Sequence, residues 1–144
     1  MFEILKELCA LEGVSGNEEC VRGRILEEIA AHATAVVVDA LGNVLAFKKG
    51  KQPAKTRLML SAHMDEVGLI VTRITDEGLL KFAAVGGIDK RVLCGKQVCV
   101  NGNFGVIGGK PIHLMKGDER EKAVPLDELS IDIGAVNREE AEQV

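Results

Sequence analysis

The sequence contains no tryptophan or tyrosine and only four phenylalanines, so aromatic residues make up 3% of its 144 residues. Proteins that bind single-stranded nucleic acid stack bases on aromatic side chains, and this chain has few to offer. Neither sign of charge is in large excess, since 18 Lys and Arg face 22 Asp and Glu for a formal net charge of −4. The composition therefore argues against nucleic acid as a partner.

The sequence also lacks an apolar run long enough to span a membrane, and no basic segment precedes an apolar one at its N-terminus. We therefore expect no membrane partner, no signal peptide and a cytoplasmic location. The four cysteines, Cys9, Cys20, Cys94 and Cys99, are spaced unlike a zinc site or a disulfide framework. This spacing predicts reduced thiols with a structural role.

The pattern of apolar residues changes after residue 66. Apolar residues make up 47% of the sequence, which is enough for an aliphatic core. Helical periodicity is confined to the N-terminal part, whereas short β-rich runs alternate with glycine-bearing turns in the remainder. We predict an α/β unit over residues 1–66 and a small β-unit over residues 67–144.

Two helices are predicted in the first unit. Apolar residues at helical spacing indicate a helix over residues 2–12. Ser15 is followed three positions later by Glu18, a capping-box pattern that places the start of the second helix at Ser15.

Three strands are predicted in the same unit. The β-rich runs 35–38 and 43–47 flank Asp39-Ala40-Leu41-Gly42, a pattern typical of an antiparallel hairpin. Residues 57–62 are mostly apolar at successive positions, which is typical of a strand covered on both faces of an α/β sheet.

The β-unit is predicted to contain strands over residues 67–74, 79–85, 96–100, 104–107 and 129–133. Asn137 and Glu140 then form the cap of a terminal helix. Only four residues follow Glu140, so we expect the sequence to stop inside a helix of a longer protein.

The residues best suited to chemistry follow the run 57–62, at the end of a predicted strand, where ligands collect in open α/β sheets. His63 can offer a neutral imidazole to a metal, while Asp65 can accept the other ring N–H and fix the tautomer. A His-x-Asp pair alone is also common at polar strand ends. Glu66 is interpreted as a solvated loop charge, and His113 as a packed or hydrogen-bonded histidine outside the site.

The longer string Leu60-Ser61-Ala62-His63-Met64-Asp65-Glu66-Val67-Gly68 resembles the dinuclear-metal aminopeptidases that assemble into tetrahedral shells. This family includes glutamyl and deblocking aminopeptidases, and its members are often labelled glucanases or cellulases. Further matching segments are Val14-Ser15-Gly16, Val85-Gly86-Gly87, Gly105-Val106-Ile107-Gly108 and Ile131-Asp132-Ile133-Gly134-Ala135. The resemblance extends over essentially the whole sequence.

The resemblance implies an α/β fold in which residues 1–66 begin a phosphorylase/hydrolase-like peptidase domain. Residues 67–144 would be most of an inserted PDZ-like β-barrel that mediates dimerisation. The complete protein would be a metal-dependent aminopeptidase with two divalent ions, zinc or cobalt. His63 would bind one ion, and Asp65 would be the catalytic residue that orients His63. The protein would act on peptides as a homo-oligomer, built from dimers up to a dodecamer.

The remaining metal ligands and the general base of such enzymes lie downstream of residue 144. We therefore expect the 144-residue chain to be inactive and to bind neither metal ion tightly. One alternative is a non-catalytic fragment whose β-unit self-associates. Another is a glucanase, which the absence of tryptophan and tyrosine argues against.

Overall fold

The structure is a computed structural model, and it describes residues 2–52, 55–111, 114, 117 and 123–144. The fold is a mixed α/β arrangement with a curled antiparallel sheet. The chain divides into two compact units, Met1–Glu66 and Val67–Val144. In the described part of the chain, no helix combines the length and the apolar character that a membrane crossing requires.

The first unit begins with two helices, α1 over Phe2–Leu8 and α2 over Glu19–Ile29. Arg24 of α2 forms ion pairs at 2.8 Å with both Glu7 and Glu28. The first helix is shorter than the predicted range 2–12, because the chain must turn to bring the buried Gly13 against α2.

The predicted capping box at Ser15 is wrong. Helix α2 begins at Glu19, and its N-cap Glu18 makes no side-chain capping bond. The Glu18 carboxylate instead accepts a hydrogen bond from the backbone N–H of Gly16. The Ser15 hydroxyl donates to Asp65, so tertiary contacts outcompete the local capping pattern.

The predicted hairpin is confirmed as β1 over Ala35–Val38 and β2 over Val44–Phe47, which pair antiparallel. Asp39 organises the turn by accepting hydrogen bonds from the backbone N–H groups of Leu41 and Asn43. Much of the hairpin surface is apolar yet exposed, including Phe47.

The predicted strand at 57–62 is wrong for the chain as it stands. These residues belong to no helix or sheet, and Leu58, Met59 and Leu60 are 87%, 86% and 87% exposed. A strand that is apolar on both faces needs neighbouring strands and covering helices. The described residues of the first unit provide neither for this segment.

The second unit is a five-stranded antiparallel sheet, and all five predicted strands are confirmed with small changes at their ends. The strands are β3 Gly68–Ile74, β4 Leu80–Val85, β5 Gln97–Val100, β6 Asn103–Gly108 and β7 Ser130–Asp132. Their order is β3-β4-β7-β6-β5, so the last strand lies between two earlier ones. This placement puts Ile131 of β7 opposite Leu80 on one side and Ile107 on the other.

The hydrophobic core lies in the second unit. Its largest fully buried side chains are Ile107, Leu129 and Ile131. The short terminal helix α3, Arg138–Ala141, contributes the buried Ala141 to this core. Its predicted cap is confirmed, since Asn137 accepts a hydrogen bond at 2.9 Å from the backbone N–H of Glu140.

The four cysteines are free, but all four are exposed, so they do not pack in the interior as structural thiols would.

Candidate metal-binding site

The ring of His63 is held by Asp65, two residues further along the chain. His63 Nδ1 lies 3.2 Å from Asp65 Oδ1 and 3.0 Å from the backbone carbonyl oxygen of Asp65. Both partners are acceptors, so Nδ1 is the donor, and a neutral ring carries its lone pair on Nε2. The His63 side chain is 86% exposed, which leaves the imidazole accessible to a ligand.

The second oxygen of the Asp65 carboxylate is held by Ser15. Ser15 Oγ donates to Asp65 Oδ2 across 2.6 Å. This hydrogen bond is the main cause that lowers the pKa of Asp65, and the backbone N–H of Asp65 and the His63 ring lower it further. Asp65 is therefore an ionised acceptor between a hydroxyl and an imidazole.

Backbone pairing fixes the two chain segments that carry these residues. Val14 and Glu66 form an isolated parallel bridge, in which Glu66 N donates to Gly13 O at 2.7 Å and Ser15 N donates to Glu66 O at 3.2 Å. A Cβ atom at Gly13 would lie 2.7 Å from Val21 Cγ2, so glycine allows the loop to approach α2.

Glu66 is part of this pairing and is not merely a solvated loop charge. Its Oε1 accepts a hydrogen bond at 3.3 Å from the backbone N–H of Gly13, in addition to the two backbone bonds of the bridge. The side chain is also exposed, as the interpretation made from the sequence expects. Glu66 therefore anchors the loop at Gly13, which lies 53 residues away in the sequence.

The sequence identifies two members of the hydrogen-bonded group and misses the third. The structure brings His63 and Asp65 into direct contact, whereas the sequence pattern assigns Ser15 to a helix cap. The separation between Ser15 and Asp65 is 50 residues, so no local spacing rule connects them. The only signal in the sequence is that both belong to segments that resemble the aminopeptidase family.

The described residues do not form a complete metal centre. They contain no group of three or more His, Cys, Asp or Glu side chains that could hold a metal ion. Zinc sites use three or four protein ligands, so His63 with its Asp65 partner fits one ligand position only. His32 is exposed near the end of α2, and His113 lies outside the described residues.

Comparison with known families identifies the class of protein to which the chain belongs. The family described as M42 glutamyl aminopeptidase matches residues 42–144, which is more than half of the chain. The chain therefore belongs to the M42 family.

Two of its relatives are aminopeptidases by name. The lysyl aminopeptidase of Pyrococcus furiosus is 32% identical over 99% of this chain and 42% of its own length. The glutamyl aminopeptidase of Lactococcus lactis is 29% identical over 87% of this chain and 37% of its own length.

Solved structures show the same fold. The TET aminopeptidase of a marine-sediment Thaumarchaeota archaeon has a TM-score of 0.90 at 40% identity, over 99% of this chain and 40% of its own. The TET1 peptidase of Pyrococcus horikoshii, which assembles into a tetrahedron or a large octahedral shell, has a TM-score of 0.82 at 42% identity, over 99% of this chain and 43% of its own. A Thermotoga maritima protein described as an endoglucanase has a TM-score of 0.82 at 39% identity, over 96% of this chain and 40% of its own.

The matched region is nearly all of this chain but less than half of each relative. The chain spans about 40% of the proteins it resembles.

Proposed function

We propose that the complete protein is a metal-dependent aminopeptidase that removes N-terminal residues from peptides, and that this chain carries the first part of its active site. The observation that supports this most directly is the His63 imidazole, which is exposed while Asp65 occupies its Nδ1. The names of the relatives support the same substrate class.

In this proposal His63 would hold one of two divalent ions through Nε2, and Asp65 fixes the tautomer that leaves Nε2 unprotonated. The ions, zinc or cobalt, would supply a polarised carbonyl and an acidic bound water. Asp65 also orients the imidazole by accepting a hydrogen bond from Nδ1. Ionised Asp65 is suited to this role, because the Ser15 hydrogen bond lowers its pKa.

Two other carboxylates of the described chain are engaged in local structure. Asp89 accepts hydrogen bonds from the guanidinium of Arg91, the shortest at 2.6 Å. Asp132 accepts from the backbone N–H of Gly134 at 2.8 Å. We infer that the bridging ligand and the general base come from sequence beyond the 144 residues.

We further propose that Met1–Glu66 begins a phosphorylase/hydrolase-like peptidase domain and that Val67–Val144 belongs to an inserted PDZ-like domain that joins copies of the protein. Support comes from the antiparallel sheet of the second unit, which presents an open groove of about 510 Å³ beside Phe104 and Val106. The assembly of a related peptidase into closed shells also favours a homo-oligomer. A cytoplasmic location completes the proposal.

The proposed activity is tested by adding zinc or cobalt to purified protein and measuring hydrolysis of aminoacyl anilides and short peptides. We expect no turnover by the 144-residue chain, because water activation needs the ions, a proton-transferring carboxylate and a positioned carbonyl together. A chain extended by the downstream coding sequence is expected to show metal-dependent turnover. His63→Ala should abolish this turnover, whereas His32→Ala, at an exposed histidine outside the site, should retain it.

Three outcomes would contradict the proposal. Turnover by the 144-residue chain that is lost in His63→Ala would mean that it holds a complete site. An inactive extended chain that still forms oligomers would favour the non-catalytic assembly alternative. Release of sugars from a β-glucan by the extended chain would favour the glucanase alternative, which the name of the Thermotoga maritima relative suggests.

A further inference from the structure

We propose that Ser15 is a positioning residue of the metal site, whose hydroxyl fixes the Asp65 carboxylate so that it holds His63 with Nε2 free. This inference rests on the proposed role of His63 as a metal ligand. It adds a hydroxyl from a distant segment to the pair that the sequence motif contains.

The geometry assigns one carboxylate oxygen to each partner. Ser15 Oγ lies 2.6 Å from Asp65 Oδ2, within the range of short hydrogen bonds from a hydroxyl to an ionised acceptor. His63 Nδ1 lies 3.2 Å from Asp65 Oδ1, which is a longer contact. The Ser15 bond therefore limits rotation of the carboxylate and keeps Oδ1 directed at the imidazole.

The hydroxyl is placed by backbone pairing and has no competing helix-capping role. Ser15 N donates to Glu66 O at 3.2 Å, next to the bridge between Val14 and Glu66. This backbone pairing holds Ser15 beside the segment that carries Asp65. Helix α2 begins four residues later, at Glu19. The Ser15 hydroxyl therefore serves the carboxylate and not the helix.

The test measures the tautomer of His63 in the 144-residue chain by ¹⁵N NMR of the imidazole nitrogens, at a pH where the ring is neutral. The resonances are assigned from the spectrum of His63→Gln. We expect Ser15→Ala to lower the ratio of the Nδ1–H to the Nε2–H tautomer about threefold, because the carboxylate loses a charge-assisted bond that orients it. Ser15→Thr keeps a hydroxyl and should restore the wild-type ratio.

The matched control is Asn17→Ala, which removes an exposed polar side chain from the same loop and should leave the ratio unchanged. Ser15→Cys provides a second variant of nearly the same size with a weaker donor, and it should lower the ratio as Ser15→Ala does. Backbone amide spectra show which variants retain the folded first unit. The tautomer ratio of His63 is compared among the folded variants.

A second readout is titration with Zn²⁺, followed on the same imidazole resonances. A residue that hydrogen-bonds to a metal-binding side chain typically contributes about 10–100-fold to the metal affinity. Asp65 contacts His63 directly and Ser15 acts through Asp65, so we expect Ser15→Ala to weaken Zn²⁺ binding at His63 by less than Asp65→Ala does. An unchanged tautomer ratio in folded Ser15→Ala or Ser15→Cys would overturn the inference, as would failure of Ser15→Thr to restore it.

These outcomes are separate from those of the proposed function. An unchanged ratio together with metal-dependent peptidase activity of the extended chain would remove only the role of Ser15. A changed ratio together with an inactive extended chain would remove only the aminopeptidase proposal.

Discussion

Single residues in the second unit occupy conformations that few side chains tolerate. Gly78 has a φ of +84° in the turn between β3 and β4, and a Cβ atom there would lie 2.8 Å from the carbonyl oxygens of Ala135 and Asn137. Gly102 has a similar φ of +82° in the turn between β5 and β6, but a Cβ atom there would meet no heavy atom within 4 Å beyond its chain neighbours. The two glycines share a backbone conformation and differ in their surroundings.

This difference predicts unequal costs for the same substitution. Gly102→Ala should lower the free energy of unfolding by about 1–2 kcal/mol, the usual cost of a left-handed conformation for an L-residue. Gly78→Ala should lower it further, because two backbone carbonyls must also move away from the added methyl group. Urea denaturation followed by circular dichroism measures both, and equal losses would show that the contact with residues 135 and 137 is not restrictive.

At the level of elements, one carboxylate organises the turn of the β1–β2 hairpin. Asp39 Oδ1 accepts from the backbone N–H groups of Leu41 and Asn43, both at 2.9 Å, and Oδ2 accepts from Asn43 Nδ2 at 2.9 Å. The side-chain bond from Asn43 is the main cause that lowers the pKa of Asp39, and the backbone bonds add to it. The turn therefore binds the ionised form of Asp39.

The lowered pKa predicts how hairpin stability depends on pH. Since the folded pKa lies below the unfolded value of about 3.9, the stabilisation is complete above that value and is lost as pH falls through the folded pKa. Asp39→Ala should lower hairpin protection at neutral pH and flatten this acid dependence. Amide exchange of residues 35–47 measures both effects, with Asp127→Ala, at an exposed carboxylate of the other unit, as the control. The same acid dependence in Asp39→Ala and wild type would contradict the assignment.

Across the whole molecule, burial is concentrated in one unit. Within the described residues, the second unit contains every buried apolar side chain except Val21. The first unit exposes large apolar side chains on its hairpin and on the unpaired segment 57–62, among them Phe47 and Leu58, and the second unit also exposes some, such as Phe104. An exposed apolar surface of this kind is typical of a face that other protein segments cover.

Uneven burial predicts uneven stability. Amide protons of β4, β6 and β7 should exchange more slowly than those of β1 and β2, because opening the second unit exposes a packed core. Hydrogen exchange of the 144-residue chain, read by NMR or by mass spectrometry of its peptides, tests this expectation. Comparable protection in the two hairpin strands and in the core strands would show that burial does not determine the local stability of the first unit.

Local patterns are sufficient to locate most elements. Alternating apolar residues and turn residues place the hairpin at 35–47 and all five strands of the second unit, because strand formation there follows from side-chain periodicity and turn chemistry. The contact of His63 with Asp65 is equally accessible, since the two residues are neighbours in sequence.

Only the tertiary structure determines which distant segments meet. Residues 57–62 have the composition of a buried strand but remain unpaired, because pairing requires partners that the described chain does not bring to them. Ser15 has the spacing of a helix cap but bonds to Asp65, because the Val14–Glu66 bridge places its hydroxyl there. A sequence encodes local conformational preference directly, whereas contacts across 50 residues depend on the packing of every element between them.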